Sequence, residues 1–136
     1  MKRIESLVIA LAIVVLLVST GYSAEENRKW TSLDTGLQVT YTFLHITDWS
    51  QTLHASRRRS YRNQPLCYRE TNPVLGDNPS TGRINSYFAS TLLLHSAIAY
   101  ILPKPYRTIW QSFWIGAEYS AVQQNREYGL GVSLHF

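Results

Sequence analysis

The segment 68–80 constrains this chain more than any other, because its residues determine the shape of the backbone. Two Asn-Pro steps, Asn72-Pro73 and Asn78-Pro79, lie six residues apart. A proline disfavours the helical region for the residue before it, and Gly76 between the two steps permits a positive φ. The segment must therefore turn at least twice, and we expect an ordered connector between the elements on either side.

Length and cysteine content limit the chain to one small domain. It has 136 residues and a single cysteine, Cys67, which excludes an internal disulfide framework and a metal cage built from several cysteines. The sequence also lacks a phosphate-binding loop, a zinc-binding motif and a Ser-His-Asp order. We therefore expect no metal and no cofactor, and we favour a protein that is not an enzyme.

The N-terminal residues have the three regions of a secretory signal peptide. Lys2 and Arg3 precede an apolar run at 7–18, and small and polar residues follow at 19–24. The run is shorter than the roughly 20 residues that span a bilayer, so we favour a signal peptide over an uncleaved apolar anchor, which is the alternative. Residues 1–24 are predicted to form this segment, and residues 25–136 a single helical domain.

The first helix is predicted at 33–54. Thr31 and Asp34 have the spacing of a pair that caps a helix at its start. Residues 37–43 also alternate between apolar and polar, which is the period of a half-buried strand. We favour the helix because the stretch runs for over ~20 residues without a turn signal, whereas a strand typically has about five or six. Its apolar residues recur at helical spacing: Leu37, Tyr41 and Leu44.

A carboxylate, Asp48, continues the apolar stripe of this helix, and Gln51 follows it. A buried carboxylate is costly unless it is paired, so Asp48 predicts a site or a partner. His45 lies three residues earlier, within reach on the same side. We expect these two side chains to pair, either as a polar contact inside the bundle or as a pair that holds a proton or helps to bind a metal.

Arginines cluster after the first helix. Their neighbours lack the alternating basic and aromatic pattern of a nucleic-acid groove, so we predict contact with anionic lipid head groups and no nucleic acid. The alternative is a solvated helix end, because most charge clusters face water. The cluster consists of Arg57, Arg58, Arg59 and Arg62.

Glu70 and Asn72 lie two residues apart in the connector. Residues of this kind commonly bond their own backbone in a turn, and the alternative is that both face Asp48 across a small polar pocket. Pro79 and Ser80 then provide the start signals of the next helix.

Two further helices are predicted at 84–102 and 105–125. The first of them has no formal charge if His95 is neutral, and it is the best candidate in the chain for a transmembrane helix. His95, in its middle, is either a functional residue or a bonded core histidine. Pro103 and Pro105 leave almost no loop, so we expect the third helix to turn back and pack antiparallel to the second.

One face of the third helix carries Glu118 in its middle, together with Arg107, Gln111, Trp114 and Asn125. Asp48 and Glu118 are the two carboxylates that most need a partner. Two carboxylates in a helical protein either share a proton or a cation, or pair with an arginine or a hydroxyl. The candidate polar site comprises Asp48, Gln51, Glu70, Asn72, His95, Glu118 and Asn125.

Three segments carry a resemblance to a known group of proteins. They are 48–52, with the pattern D-W-x-Q-T; 70–80, with E-x-N-P-x-L-G-x-x-P-S; and Tyr87 with Phe88. Over residues 30–130 the chain resembles a family of small envelope proteins of proteobacteria. The resemblance implies a helical, membrane-associated protein with an export signal or an N-terminal apolar segment, and it implies no activity. We therefore expect the chain in the bacterial cell envelope, in the inner membrane or the periplasm.

Together these features predict an all-α fold, a small three-helix bundle with a connector rich in Pro and Asn and a short extended C-terminal tail. The function we favour is a non-enzymatic, membrane-associated envelope protein that packs against lipid, a protein partner or a second copy. The alternative is a small-ligand or ion site, with or without catalysis, and it would be favoured if Asp48, Glu70, His95 and Glu118 converge. A third reading is a small outer-membrane β-barrel, because residues 37–43 and the tail at 128–136 alternate as strands do.

Overall fold

A computed structural model describes residues 29–61 and 72–131, with the side chains at 57–61 left out. Three helices make up this part of the chain: α1 (Ser32–Tyr61), α2 (Thr81–Ile101) and α3 (Lys104–Glu127). No strand occurs in the described ranges, so the prediction of an all-α three-helix bundle is confirmed. The predicted N-terminal segment at 1–24, the connector at 62–71 and the end of the tail at 132–136 lie outside these ranges.

Helix α1 begins at the predicted cap. The Thr31 backbone N–H donates to Asp34 Oδ2 at 2.8 Å, and the Asp34 N–H donates back to Thr31 Oγ1 at 3.3 Å. These reciprocal bonds satisfy two of the donors that a helix start leaves open. The strand reading of 37–43 is wrong, because this alternation lies inside a continuous helix of 30 residues.

The segment 72–80 is the ordered turn that the Asn-Pro steps predict. The Leu75 N–H donates to the Asn72 carbonyl at 3.1 Å, and Gly76 has a φ of 76°. Leu75 is buried in a small apolar core with Leu53, Ile84 and Phe88. Ser80 caps α2 by accepting from the Arg83 N–H at 3.2 Å, so the predicted helix start is confirmed.

The chain reverses between α2 and α3 at Leu102 and Pro103, which are both buried. Pro103 is the N-cap of α3 and Pro105 lies in its first turn, where the missing N–H of a proline costs nothing. The reversal was expected, but α3 packs mainly against α1 and touches α2 little. Helix α1 is therefore the central element, and it contacts both of the others.

The contacts between α1 and α3 form a line of polar pairs that we call the polar seam. It begins with the ion pair of Asp34 and Arg107, at 3.1 Å. Because the early residues of α1 meet the early residues of α3, the two helices run in the same direction. The remaining pairs along the seam are Gln38 with Gln111, His45 with Glu118, and Asp48 with Asn125.

The first pair of the seam is deeply buried. Asp34 and Arg107 are both 0 % exposed. The Arg107 Nε–H also donates to the Ala99 carbonyl at 2.8 Å, and its guanidinium lies 4.9 Å from the ring centroid of Trp30. Burial raises the pKa of the Asp34 carboxyl, but hydrogen bonds from Thr31 and Arg107 lower it by more, so the net shift is downward. Arg107 thus joins the ends of all three helices.

The prediction that residues 84–102 form a transmembrane helix is wrong for this structure. Within the described ranges, none of the helices combines the length and apolar character needed to cross a membrane. The apolar residues of α2 are interrupted by Asn85, by His95 and by several serines and a threonine, and polar side chains of this kind lower the tendency to enter a bilayer.

Candidate functional site

A cavity of about 190 Å³ lies along the middle of the polar seam. All three helices contribute to its wall, and Asn72 adds a side chain from the turn that precedes α2. The wall combines aromatic rings with a few polar groups, which is the usual composition of a small-molecule site. Its lining residues are Tyr41, His45, Asp48, Asn72, Tyr87, Phe88, Thr91, Leu94, His95, Ile98, Trp110, Trp114 and Glu118.

His45 and Glu118 form an ion pair in the wall of this cavity, with 2.7 Å between His45 Nδ1 and Glu118 Oε1. The other ring nitrogen, Nε2, lies 3.0 Å from the Phe88 carbonyl. Burial lowers the pKa of His45, but the bond to Glu118 and its negative charge raise it by more, so the net shift is upward. Two acceptors on opposite sides suit a doubly protonated imidazolium, which has two donors.

Asp48 lies close enough to His45 for its negative charge to help raise the pKa of that imidazole, and it also bonds to α3. Asn125 Nδ2 donates to Asp48 Oδ1 at 2.6 Å, about two helical turns of α3 beyond Glu118. Helical spacing placed His45 and Asp48 on one face correctly, but it did not predict the bonds that they make to Glu118 and Asn125 of α3.

His95 also lines the cavity and is 3 % exposed. Its ring stacks between Tyr41 and Trp110, with centroid distances of 3.5 Å and 5.6 Å. Neither Nδ1 nor Nε2 has a hydrogen-bond partner among the described residues. Burial, and then the nearby charge of His45, lower the pKa of His95 to about 4, so its imidazole is neutral at pH 7.

Two further buried polar atoms on residues of the cavity wall lack a hydrogen-bond partner within the described ranges. They are Glu118 Oε2, the carboxylate oxygen that does not bind His45, and the indole nitrogen Nε1 of Trp114. Most buried polar atoms in proteins are hydrogen-bonded, so several unpaired ones around one cavity need an explanation. They supply an unused acceptor, an unused donor and, at His95, one of each.

Comparisons with family models, with curated proteins and with solved structures found no match to this chain. The resemblance to proteobacterial envelope proteins therefore stays a prediction.

The predicted polar site is partly assembled in the structure. Asp48, Asn72, His95 and Glu118 line the cavity, and Asn125 adjoins it through its bond to Asp48. Asn72 also has the local turn role, because the Val74 N–H donates to its Oδ1 at 2.9 Å.

Gln51 is not part of the cavity wall. Its amide donates to the Leu130 carbonyl at 3.3 Å, beyond the end of α3. Glu70 and Arg62 lie outside the described residues, and the side chains of Arg57, Arg58 and Arg59 are not described. The predicted head-group cluster and the predicted contact of Glu70 with Asp48 therefore stay predictions.

The sequence reasoning missed the aromatic half of the site. Tyr41 and His45 are four residues apart on α1, and Trp110 and Trp114 are four apart on α3, so each pair shares a helix face. This spacing is the signal that was available.

Among the described residues, no group of three or more His, Cys, Asp or Glu side chains is placed to hold a metal ion.

Proposed function

We propose that this protein binds a small molecule in the cavity between its three helices. The observation that carries the proposal is His95, which is 3 % exposed and has two ring nitrogens without partners at the cavity wall. A ligand that bonds to these nitrogens would remove the cost of burying them unpaired. The convergence of Asp48, His95 and Glu118 on the same cavity supports the same function.

The size of the cavity indicates the size of the ligand. An apolar cavity of about 150 Å³ is large enough to bind benzene. The cavity described above, at about 190 Å³, has room for a single six-membered ring with a small substituent. The aromatic walls add favourable contact with such a ring.

Phenol is a suitable probe, because it combines one ring with a hydroxyl that both donates and accepts. We expect phenol to raise the midpoint of thermal unfolding of the full chain by about 5 °C at ten times its Kd, since a ligand that binds only the folded state stabilises it. His95→Phe keeps the stacked ring and removes both nitrogens, so it should weaken phenol binding about tenfold.

The matched control is His54→Phe. His54 bonds to the Gly131 carbonyl at the other end of the bundle and does not line the cavity. Its replacement should leave phenol binding unchanged. The proposal fails if phenol does not stabilise the wild-type chain, or if both variants weaken binding equally.

A second function, contact with lipid, is favoured by a different observation. Within 35–56, 84–101 and 108–125, Asp48 and Glu118 are the only Asp, Glu, Lys or Arg residues, and both face the cavity. The outside of the bundle instead presents large apolar side chains on every helix, which mark interaction surfaces when they are contiguous. These are Leu33, Val39, Phe43, Leu93, Leu94, Tyr100, Ile101, Ile109, Phe113 and Tyr119.

These side chains lie on all three helices, so a phospholipid surface would cover those on the side of the bundle that faces it. Flotation of the full chain with phospholipid vesicles tests this function. We expect the chain to float with anionic vesicles, and to float less when Arg57, Arg58, Arg59 and Arg62 are replaced by Gln. If the chain stays in the dense fraction and forms a dimer in solution, a second copy of the chain, and not lipid, buries the exposed apolar side chains.

A further inference from the structure

We propose that the ligand of the cavity is a neutral, planar, single-ring molecule that carries a hydrogen-bond donor and an acceptor side by side, as a carboxamide or a lactam does. This inference rests on the proposed binding function and names the chemical class of its ligand. It follows from the types of the unpaired atoms, from the charge of the groups around them and from the shape of the walls.

The unpaired atoms call for a ligand with both kinds of hydrogen-bonding group. Glu118 Oε2 can only accept, and Trp114 Nε1 can only donate. A neutral His95 offers one donor and one acceptor. A ligand that only donates, or only accepts, would leave some of these buried atoms unpaired, and each unpaired buried atom costs binding free energy. A carboxamide or a lactam satisfies both kinds at once.

The charges of the cavity do not favour an ion as the ligand. Glu118 contributes a negative charge from α3, but His45 on α1 lies 2.7 Å away and offsets it. His95, from α2, is neutral at pH 7 because burial lowers its pKa to about 4. Asp48 of α1 already accepts a bond from Asn125. An anion would lose its hydration without gaining a positive partner of its own, and a cation would have to compete with His45 and Asn125 for carboxylates that they already bond.

The walls favour a flat molecule. Trp110 and Trp114 meet edge to face with 5.5 Å between ring centroids, and Trp110 is in turn stacked on His95. Rings held against one another in this way have little freedom to turn, so the shape of the site is set before the ligand enters. A planar ring fits between such surfaces with the least loss of contact.

Four probes of nearly equal size test the inference on the full chain: benzamide, benzoate, benzylammonium and toluene. Binding is measured by titration calorimetry or by the shift in thermal unfolding. We expect benzamide to bind at least tenfold more tightly than each of the other three, because it alone has both a donor and an acceptor and no charge.

Trp114→Phe then isolates one bond, since it removes the indole N–H and keeps an aromatic ring. Benzamide should bind about tenfold more weakly to this variant, while toluene should be unaffected. The control is Trp30→Phe, the same change at a residue that contacts Tyr100 and Arg107 outside the cavity. This variant should bind benzamide as the wild type does.

The outcomes separate the two proposals. If benzoate or benzylammonium binds as tightly as benzamide, the neutral class is overturned while binding in the cavity stands. The inference also fails if Trp114→Phe and Trp30→Phe weaken benzamide binding equally. If none of the four probes binds and phenol does not bind either, the cavity is not a ligand site and both proposals fall.

Discussion

Arg107 shows how much depends on single side chains in this bundle. It is fully buried, and it holds Asp34 at 3.1 Å and the last turn of α2 through the Ala99 carbonyl. A buried ion pair adds little net stability compared with apolar residues of the same volume, because both charges lose their hydration. Removing one member of the pair is strongly destabilising, since the other charge then stays buried without a partner.

We therefore predict that Arg107→Ala lowers the free energy of unfolding by about 3–5 kcal/mol. Arg126→Ala, an exposed arginine near the end of the same helix, should change it by less than about 0.5 kcal/mol. Urea denaturation followed by circular dichroism measures both. A loss at position 107 of under ~1 kcal/mol would show that the pair is not buried as described.

For individual residues, the sequence predicted which polar side chains share a helix face better than it predicted their hydrogen-bond partners. The stripe of α3 that contains Arg107, Gln111 and Glu118 was recognised from spacing alone, and it does form the buried seam. The partner of Glu118 lies 73 residues away, and which turn of α1 it meets depends on how the helices pack. Helical spacing fixes a face within one helix but carries no information about the register between two.

At the scale of the helices, the start of α2 is determined locally. Ser80 accepts the Arg83 N–H at 3.2 Å, and the Arg83 guanidinium donates to the Val74 carbonyl at 2.7 Å. These contacts link the cap to the turn before it, so the helix and the connector stabilise each other.

We predict that Ser80→Ala destabilises the protein by about 1 kcal/mol, because the N–H that the serine satisfies loses its partner. Ser90→Ala, at an exposed position within α2, is the control, and it should be neutral or slightly stabilising since alanine is the better helix former. Thermal or urea unfolding distinguishes the two. Equal effects at positions 80 and 90 would contradict the capping role.

Helices were the most predictable part of the fold. The caps and the Asn-Pro steps are local signals, and they placed the starts of α1, α2 and α3 within a few residues. The transmembrane reading of 84–102 went wrong because absence of formal charge was given more weight than the Asn, His and Ser residues in that stretch. The strand pattern at 37–43 went wrong because seven residues of alternation do not outweigh a helical stretch of 30 residues.

For the whole molecule, the distribution of polarity is the unusual property. Polar side chains occupy the interior of the seam, and large apolar ones face outward, with Leu93 72 % and Phe43 70 % exposed. Folding therefore brings two histidines into opposite surroundings. His45 lies against a carboxylate, whereas His95 lies among aromatic rings and near the charge of His45.

These surroundings give the stability of the protein two opposite dependences on pH. The pKa of His95 is about 4 when folded and about 6.5 when unfolded. Above pH 6.5 the His95 imidazole is neutral in both states, so its burial does not make the stability depend on pH there. As the pH falls from 6.5 to 4, the unfolded state takes up a proton more readily than the folded state, and the free energy of unfolding falls by roughly 3 kcal/mol. The pKa of His45 is raised on folding, so its contribution is complete below pH 6.5 and is lost as the pH rises through the folded value.

The most direct test of this arrangement is an NMR titration of the imidazole side chains in the folded full chain, with His45→Gln and His95→Gln variants to assign the signals. We predict that His45 titrates above its ordinary pKa of about 6.5 and that His95 titrates near 4. If both residues titrate near 6.5, the cavity between the three helices and the pair of His45 with Glu118 do not exist as described.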